Sequence, residues 1–255
     1  MNIISIIPAR MGSSRFPGKP MADILGMPMI GHVYKRVKMS KILSEVFVAT
    51  CDKEIYDYIE SIGGKAVMTS DCHERCSDRC AEAMLKIEKD ENIKVDIMLM
   101  VQGDEPLTFP QMIDEAVAPM LEDKSIIITN LVADLETIEE FNDPNEVKVV
   151  MDKNNNALYF SREPIPSRKK GVLQVPMKKQ VCVIPFTRDF LLEYNEMEPT
   201  PLEIIESVDM MRILENGMRV KMIETKYETK AVDTSEDLDR VVGMMKSDEL
   251  FKNYK

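Results

Sequence analysis

The sequence predicts an α/β fold with a mostly parallel central sheet and a smaller subdomain built on a mixed sheet. Over the first 106 residues, short apolar runs alternate with segments of helical periodicity, an order typical of parallel strands joined by crossover helices. From residue 126 onward, short strand-like runs are separated by polar turns. We therefore expect one domain of 255 residues with two halves, about 1–125 and about 126–255.

The elements of the first half follow from local patterns. Residues 3–7 form an apolar run ended by Pro8, which favours a strand buried on both faces. A short strand and turn are expected at 22–28, and three further strands at 45–50, 65–69 and 96–101. Helices are expected at 29–39, 52–62 and 74–88.

The second half has shorter elements. Strands are predicted at residues 125–130, 147–152, 157–161 and 220–224. Residues 163–179, with three prolines and several cations, predict an exposed arm. Residues 202–215 predict one amphipathic helix ended by Asn216-Gly217, and Thr234 or Ser235 is the expected N-cap of a final helix.

The loop after the first strand is rich in cations and small residues. Arg10, Arg15 and Lys19 place three positive charges within ten residues. Accessible N–H groups come from Gly12, Ser13, Ser14 and Gly18. Because ligands bind at the carboxyl ends of strands in such sheets, this loop predicts a polyphosphate site, although neither a GxxxxGK[ST] nor a GxGxxG motif is present.

A carboxylate follows the strand at 96–101. Asp104 lies in the sequence Gln-Gly-Asp-Glu-Pro, at the expected carboxyl end of a central strand. Carboxylate oxygens beside nucleotide phosphates are typical ligands of Mg²⁺. A turn or helix-cap role is the alternative for an isolated aspartate, but the neighbouring cationic loop favours the metal role.

Composition excludes several classes of function. The net charge of −11 disfavours nucleic acid as a partner and points to a small anion at the cationic loop. No apolar run approaches the roughly 20 residues that span a bilayer, and no signal peptide is recognisable, so we expect no membrane partner and a cytoplasmic protein. Five cysteines, an odd number, favour reduced thiols over a disulfide framework.

One histidine and three closely spaced cysteines are candidates for catalytic or metal-binding roles. His32 lies on a predicted helix and is expected to be a structural residue with hydrogen-bond partners rather than a catalyst. Cys72, Cys76 and Cys80 are spaced four apart, but thiols on successive turns lie on a line, which suits tetrahedral zinc poorly. We expect these cysteines to be metal-free and to make small buried apolar contacts.

Six segments together resemble the sugar-acid cytidylyltransferases, and most of all the 3-deoxy-manno-octulosonate (Kdo) cytidylyltransferase family. The segments are PARMGSSRFPGKP (8–20), VQGDEP (101–106), NEVKVV (145–150), ALYFSR (157–162), PLE (201–203) and VDTSEDL (232–238). The resemblance covers essentially the whole chain. It implies a Rossmann-like nucleotidyltransferase domain, with nucleotide binding in the first half and acceptor binding and homodimer formation in the second.

The resemblance also implies the activity and the site. The reaction would transfer CMP from CTP to a Kdo-type sugar acid with release of pyrophosphate, as in lipopolysaccharide biosynthesis, with Mg²⁺ as cofactor. The implied catalytic residues are Lys19, Arg15 and Asp104, and the implied metal ligands are Asp104 and Asp233. The implied nucleotide-binding residues are Pro8, Ala9, Arg10, Ser14, Arg15, Lys19, Arg75, Cys76 and Gln102. The implied acceptor-binding residues are Gln102, Arg162, Gln180, Asp209 and Met210.

The chain departs from the family pattern near both substrates. The family's H-x-S-G-T-[DE]-R is His73-Glu74-Arg75-Cys76-Ser77-Asp78-Arg79 here, and Gln180, Ile184 and Met210 replace sugar-side polar residues. Since a site that loses hydrogen-bonding partners loses discrimination steeply, the sequence predicts a preference for a different anionic acceptor, such as a modified ulosonate, phosphate or phosphonate. A non-catalytic sensor of CTP or CMP is a further alternative.

Overall fold

A computed structural model of the chain describes residues 1–12, 15–171 and 174–255. The chain forms two compact units, one comprising residues 1–114 with 228–255 and the other residues 115–227. Residues 228–255 therefore belong with the first unit, whereas the sequence-based division at about residue 125 assigned them to the second half. Within the described residues, no helix combines the length and apolar character needed to cross a bilayer.

The first unit is a layered α/β structure. Its described elements are β1 (Ile3–Ala9), β2 (Asp23–Ile24), β3 (Met27–Pro28), α1 (Met29–Val37), β4 (Glu45–Thr50), α2 (Lys53–Ser61), β5 (Lys65–Met68), α3 (Cys76–Asp90), β6 (Ile97–Val101), the start of α4 (Pro110–Glu122), and α9 (Ser235–Met245). Single turns of 3₁₀ helix occur at Lys19–Met21 and Phe251–Asn253.

The main sheet of this unit is parallel. Strands β6, β1, β4 and β5 are neighbours in that order, and all three pairings are parallel. Every residue of β1 is buried, as expected for a strand covered on both faces. The register pairs Ala9 with Thr50, so the strand ends meet at one edge of the sheet. The predicted parallel sheet is confirmed, and its carboxyl edge carries the candidate site.

The second unit contains a mixed sheet. Its described elements are β7 (Thr129–Asp134), α5 (Ile138–Asn142), β8 (Lys148–Met151), β9 (Ala157–Ser161), β10 (Lys178–Val181), β11 (Val183–Thr187), α6 (Arg188–Glu196), α7 (Pro201–Glu206), α8 (Met210–Glu215) and β12 (Lys221–Glu224). In the order β12, β7, β10, β8, β9, the first pair is parallel and the other pairs are antiparallel. The predicted mixed-sheet subdomain is confirmed.

Several local predictions are wrong. The single helix expected at 202–215 is divided into α7 and α8, because Ser207 adopts a left-handed conformation (φ 52°, ψ 49°) that ends α7. The strand expected at 125–130 begins only at Thr129, since Asp123 accepts hydrogen bonds from the N–H and hydroxyl of Ser125 in a turn. Strand β10 begins inside the arm expected at 163–179.

A buried ion pair joins the two short helices. Arg212 donates from Nε and Nη2 to the two carboxylate oxygens of Glu203, both at 2.7 Å, and neither side chain is exposed by more than 5%. The guanidinium also lies over the Tyr194 ring, 4.5 Å from its centroid. Burial would lower the pKa of Arg212, but the hydrogen bonds to Glu203 are the larger effect and raise it.

Candidate active site

A polar cleft of about 270 Å³ opens at the carboxyl edge of the parallel sheet, within the first unit. Nine of the sequence-predicted site residues line it: Pro8, Ala9, Arg10, Arg15, Lys19, Cys76, Gln102, Asp104 and Asp233. Gly12, Pro20 and Gly103 complete the lining. Arg75 lies instead in an adjoining hollow of about 50 Å³, which Arg10 and Cys76 also line. Ser14 lies outside the described residues.

The loop after β1 returns on itself before it reaches Lys19. The N–H of Gly18 donates to the carbonyl of Met11 at 3.0 Å, which brings the two ends of the loop together. Gly18 has φ +74°, a conformation that a side chain would strain, and the 3₁₀ turn at Lys19–Met21 follows it. This turn points the Lys19 side chain toward the end of β6.

Lys19 is the electrostatic centre of the cleft. Its Nζ lies 2.7 Å from Asp104 Oδ2 and 3.2 Å from Asp233 Oδ1, and its side chain is 12% exposed. Burial acts to lower the pKa of Lys19, but the two carboxylates outweigh burial and raise this pKa above its usual value. Arg15 Nη2 adds a second cation 2.9 Å from Asp233 Oδ1, with its side chain 53% exposed. Two of the cations that line the cleft, Lys19 and Arg15, are therefore paired with its two carboxylates.

Main-chain contacts place Asp233 beside Asp104. The N–H of Val232 donates to the carbonyl of Asp104 at 2.9 Å. Directly after Asp233, Thr234 and Asp237 form a capping box that starts α9. Of the two N-cap residues that the sequence predicted, Thr234 and Ser235, Thr234 is the N-cap, and Ser235 is the first residue of the helix. Because the cap uses Thr234 and Asp237, the carboxylate of Asp233 remains directed to Lys19 and Arg15.

Asp104 and Asp233 carry oxygen atoms of the kind that Mg²⁺ prefers as ligands. Asp104 Oδ1 is buried and has no hydrogen-bond partner, so one hard oxygen in the cleft is unsatisfied. Mg²⁺ is typically held by one or two carboxylates together with substrate phosphates and water, and Asp104 with Asp233 matches that donor set. The described residues contain no group of three or more His, Cys, Asp or Glu side chains placed to hold a metal. Substrate phosphates would therefore have to supply further ligands.

Gly103 is a lining residue that sequence reasoning did not single out. A Cβ added to it would lie 3.0 Å from the carbonyl oxygen of Pro8 and 3.2 Å from Ile30. Both distances are tighter than ordinary van der Waals contacts, so glycine suits the close approach of the turn after β6 to the end of β1, and a side chain there would push against the main chain of Pro8. Its place in the Gln-Gly-Asp-Glu-Pro segment was the available signal.

The segment at 69–75 is held by contacts with α3. Glu82 accepts a hydrogen bond from the N–H of Ser70 and is paired with His73 and Lys86. Partial burial acts to raise the pKa of Glu82, but these hydrogen bonds outweigh it and lower the pKa to about 2. Arg79 donates from Nη1 to the hydroxyl of Thr69 and to the carbonyl of Ser70.

The predicted acceptor-binding residues other than Gln102 belong to the second unit. Arg162 donates to the main-chain carbonyls of Pro144, Glu206 and Ser207. Gln180 donates from Nε2 to Asn130 Oδ1 at 2.6 Å. The side chain of Met210 is fully buried, and Asp209 lies directly before α8. Their roles toward an acceptor remain predictions.

His32 and the cysteines have identifiable environments. His32 is fully buried, with Nδ1 3.0 Å from the hydroxyl of Tyr254 and Nε2 2.8 Å from the carbonyl of Ile24, so its predicted structural role is confirmed. All five cysteines are free thiols. Cys80 is buried as expected, but Cys72 is exposed and lies 2.9 Å from the hydroxyl of Ser70, so the expectation of buried contacts is wrong for Cys72.

Comparisons with known proteins agree on one family. Residues 4–223 match the family model described as "Cytidylyltransferase". The chain is similar to two proteins named 3-deoxy-manno-octulosonate cytidylyltransferase. The one from Geobacter metallireducens is 44% identical over 95% of this chain and 97% of the relative, and the one from Geobacter sulfurreducens is 43% identical over 96% of this chain and 100% of the relative.

A solved structure is similar as well. It is described as CMP:2-keto-3-deoxy-manno-octonic acid synthetase complexed with CTP, and it matches with a TM-score of 0.88 and 35% identity over 96% of this chain and 99% of that one. The match supports the predicted nucleotidyltransferase fold over nearly the full length. With the family model, the curated relatives and this structure in agreement, the chain belongs to the cytidylyltransferase family.

Proposed function

We propose that this protein is a CTP-dependent nucleotidyltransferase that transfers CMP from CTP to 3-deoxy-manno-octulosonate and releases pyrophosphate. The observation that carries the proposal is the contact of Lys19 with both Asp104 and Asp233 in the cleft at the ends of β1 and β6. This arrangement combines a cation for phosphate oxygens with a pair of carboxylates suited to a divalent ion. The names of the relatives and of the similar structure support the choice of substrates.

The reaction is a direct displacement. An acceptor hydroxyl oxygen attacks the α-phosphorus of CTP and forms the new O–P bond, while the bond from the α-phosphorus to the bridging oxygen breaks. Pyrophosphate leaves with the electron pair, and the hydroxyl proton is lost to the solvent. Lys19 and Arg15 bind the phosphates and offset the negative charge that grows on the departing pyrophosphate. We expect no covalent enzyme intermediate.

We also propose Mg²⁺ as the cofactor. Asp104 and Asp233 would hold it, with the unpartnered Asp104 Oδ1 as the first ligand atom. When bound, it would neutralise phosphate charge at the reacting centre. Before the ion binds, the positive charge of Lys19 offsets the repulsion between the two carboxylates and so lets them lie near each other.

The alternative acceptors predicted from the sequence are not favoured. That prediction depended on Gln180, Ile184 and Met210, yet relatives at 43–44% identity over nearly the whole chain are named for 3-deoxy-manno-octulosonate. Gln180 is hydrogen-bonded to Asn130, and Ile184 and Met210 are buried, so these three side chains already have partners or packing in the second unit.

The test is a pyrophosphate-release assay with CTP and Mg²⁺. Wild-type protein is combined with 3-deoxy-manno-octulosonate and, separately, with other sugar acids, phosphates and phosphonates. Release that is fastest with 3-deoxy-manno-octulosonate supports the proposal. Release with another acceptor alone would replace the proposed substrate, and CTP binding without release for any acceptor would favour a nucleotide sensor.

A homodimer formed through the second unit is part of the proposal. Among the described residues, β9 is an edge strand with Leu158 60% exposed, and α7 exposes Ile204 (62%) and Ile205 (73%). Large apolar side chains exposed on β9 and α7 favour an interface between copies of the chain. Light scattering should give a dimer mass that Ile205→Asp reduces, whereas Leu85→Asp, at an exposed apolar position of the first unit, should leave it unchanged.

A cytoplasmic location also belongs to the proposal. The five free thiols fit a reducing compartment. Fractionation of cells that express the protein at its natural level would test it, because most of the protein should then separate with the cytoplasmic contents.

A further inference from the structure

A carboxylate outside the cleft contacts the main chain of the phosphate loop. Asp52 Oδ2 accepts a hydrogen bond from the N–H of Met11 at 2.7 Å, between residues 41 positions apart. Met11 lies between Arg10 and Gly12, both of which line the cleft, whereas Asp52 does not line it. Asp52 therefore contacts the main chain of the loop without itself lining the cleft.

The fold brings these residues together through strand register. Ala9, the last residue of β1, pairs with Thr50, the last residue of β4. Two residues beyond each strand end lie Met11 and Asp52. The N–H of Asp52 donates to the buried hydroxyl of Thr50 at 3.0 Å. This bond fixes the position of Asp52 relative to the end of β4. The contact is thus set by the most regular part of the sheet.

Asp52 occupies the N-cap position of α2 but does not cap the helix. An aspartate there normally accepts a hydrogen bond from the N–H two or three residues later. Here no such bond is made by the side chain. The carboxylate is turned to Met11 instead, so the helix forgoes a stabilising contact while the loop gains one.

Met11 is held at both of its main-chain polar groups. Its N–H donates to Asp52, and its carbonyl accepts from the N–H of Gly18, which precedes Lys19. The peptide units on either side of Met11 therefore cannot rotate without breaking a hydrogen bond. The orientation of these peptide units sets the positions of Arg10 and Gly12 in the cleft and the direction in which the main chain leaves Met11.

From these contacts we propose that Asp52 is a positioning residue for nucleotide binding: it holds the loop at residues 10–12 in the conformation that receives the phosphates of CTP. This inference rests on the proposed function for the identity of the ligand. A flexible loop loses conformational entropy when a ligand orders it, and this loss weakens binding. A loop that is already ordered avoids the loss, so Asp52 would raise the affinity for CTP without contacting it. The effect should appear chiefly in the binding of CTP.

Four variants separate this role from helix capping. Asp52→Ala removes the acceptor, and Asp52→Asn keeps an oxygen that can accept from Met11. Asp52→Ser retains a residue that caps helices well but is one bond shorter toward Met11, and it protects the test if the alanine variant fails to fold. Glu54→Gln removes a neighbouring carboxylate from the first turn of α2 and serves as the matched control.

The first readout is hydrogen exchange of the Met11 amide in the ligand-free protein. We expect exchange at least about tenfold faster in Asp52→Ala and Asp52→Ser, and near wild-type exchange in Asp52→Asn and Glu54→Gln. The second readout is CTP affinity, where the alanine and serine variants should weaken binding by about 10- to 100-fold, with kcat at saturating CTP reduced by less than about threefold.

The two readouts distinguish the possible failures. Unchanged Met11 exchange in both Asp52→Ala and Asp52→Ser would overturn the inference, whatever the substrate is. Faster exchange with unchanged CTP affinity would also overturn it, because loop order would then not serve nucleotide binding. If wild-type protein bound no CTP at all, the proposed function would fail, while the exchange data would still report on the contact itself.

Discussion

Lys19 and Asp104 form a direct ion pair, with Nζ 2.7 Å from Oδ2. The pair lies beyond the carboxyl ends of the neighbouring parallel strands β1 and β6. The pair leaves Asp104 Oδ1 buried and without a hydrogen-bond partner. An unsatisfied buried oxygen is costly, and it is common where a ligand or ion completes the site. The pair therefore places a nearly buried cation beside a carboxylate oxygen that has no hydrogen-bond partner in the protein.

The carboxylates should be required for turnover. We expect Asp104→Asn and Asp233→Asn each to reduce the rate of pyrophosphate release by about 100-fold or more, because each removes a charged oxygen from the proposed Mg²⁺ site. Circular dichroism should remain like that of the wild type. Asp239→Asn, at an exposed position of α9, is the matched control and should keep full activity. Near-normal rates in either cleft variant would contradict the metal assignment.

The two loop cations should differ in importance. Lys19 is 12% exposed and contacts both carboxylates, whereas Arg15 is 53% exposed and contacts Asp233. We expect Lys19→Ala to lower kcat/KM for CTP by about 100-fold and Arg15→Ala by only about fivefold, since exposed charges are screened by water and salt. Steady-state kinetics at low and high salt would check this. Equal losses at both salt concentrations would contradict the ranking.

Acid should destabilise the protein through His32. Burial, and secondarily the nearby charge of Arg36, lowers the pKa of His32 from 6.5. Below about pH 6.5 the unfolded chain binds a proton that the folded chain does not, so the free energy of unfolding falls as the pH drops through this range and is retained above it. Thermal unfolding from pH 7.5 to 5 should show a steeper fall in Tm for wild type than for His32→Gln.

The other histidine provides the control for that experiment. His73 is paired with Glu82 at the surface of α3 and is not fully buried. His73→Gln should therefore retain the steep wild-type fall in Tm. A fall in Tm that is as steep in His32→Gln as in wild type would assign the acid sensitivity to other groups.

The Glu203–Arg212 pair should dominate the stability of the α7–α8 region. Removing one partner leaves the other charge buried and unpaired, and we expect Arg212→Ala to lower the free energy of unfolding by about 3–5 kcal/mol. Lys53→Ala, which breaks the exposed pair with Asp57, should cost less than about 0.5 kcal/mol. Urea denaturation of both variants measures the difference. A small effect of Arg212→Ala would mean that water reaches the pair.

The cysteines at 72, 76 and 80 should hold no metal. Cys72 lies before α3 and is exposed, whereas Cys80 is buried within it, so their thiols have different surroundings. Elemental analysis of protein purified without added metal should show no zinc. Stoichiometric zinc that disappears in Cys76→Ser would contradict this prediction.

Much of the first unit could be predicted from the sequence. The apolar residues of the run at 3–7 do not alternate with polar ones, so the sequence predicted a strand covered on both faces. Arg10, Arg15 and Lys19 follow it closely in the sequence, so the same local pattern that identified the strand also placed the cations at its carboxyl end. The aspartate after β6 was predictable for the same reason. These are properties of short segments, for which neighbouring residues carry the information.

Tertiary structure decided the relationships between distant segments. The carboxylate of Asp233 reaches Lys19 because Val232 bonds to the main chain of Asp104, and Asp52 reaches Met11 because β1 and β4 pair in one register. The division of the helix expected at 202–215 likewise depends on Ser207 adopting a left-handed conformation, after which Arg212 pairs with Glu203. Periodicity and residue type describe which face a segment buries, but not which distant residue meets it. Those pairings arise only when the apolar faces pack together and the polar groups between them find partners.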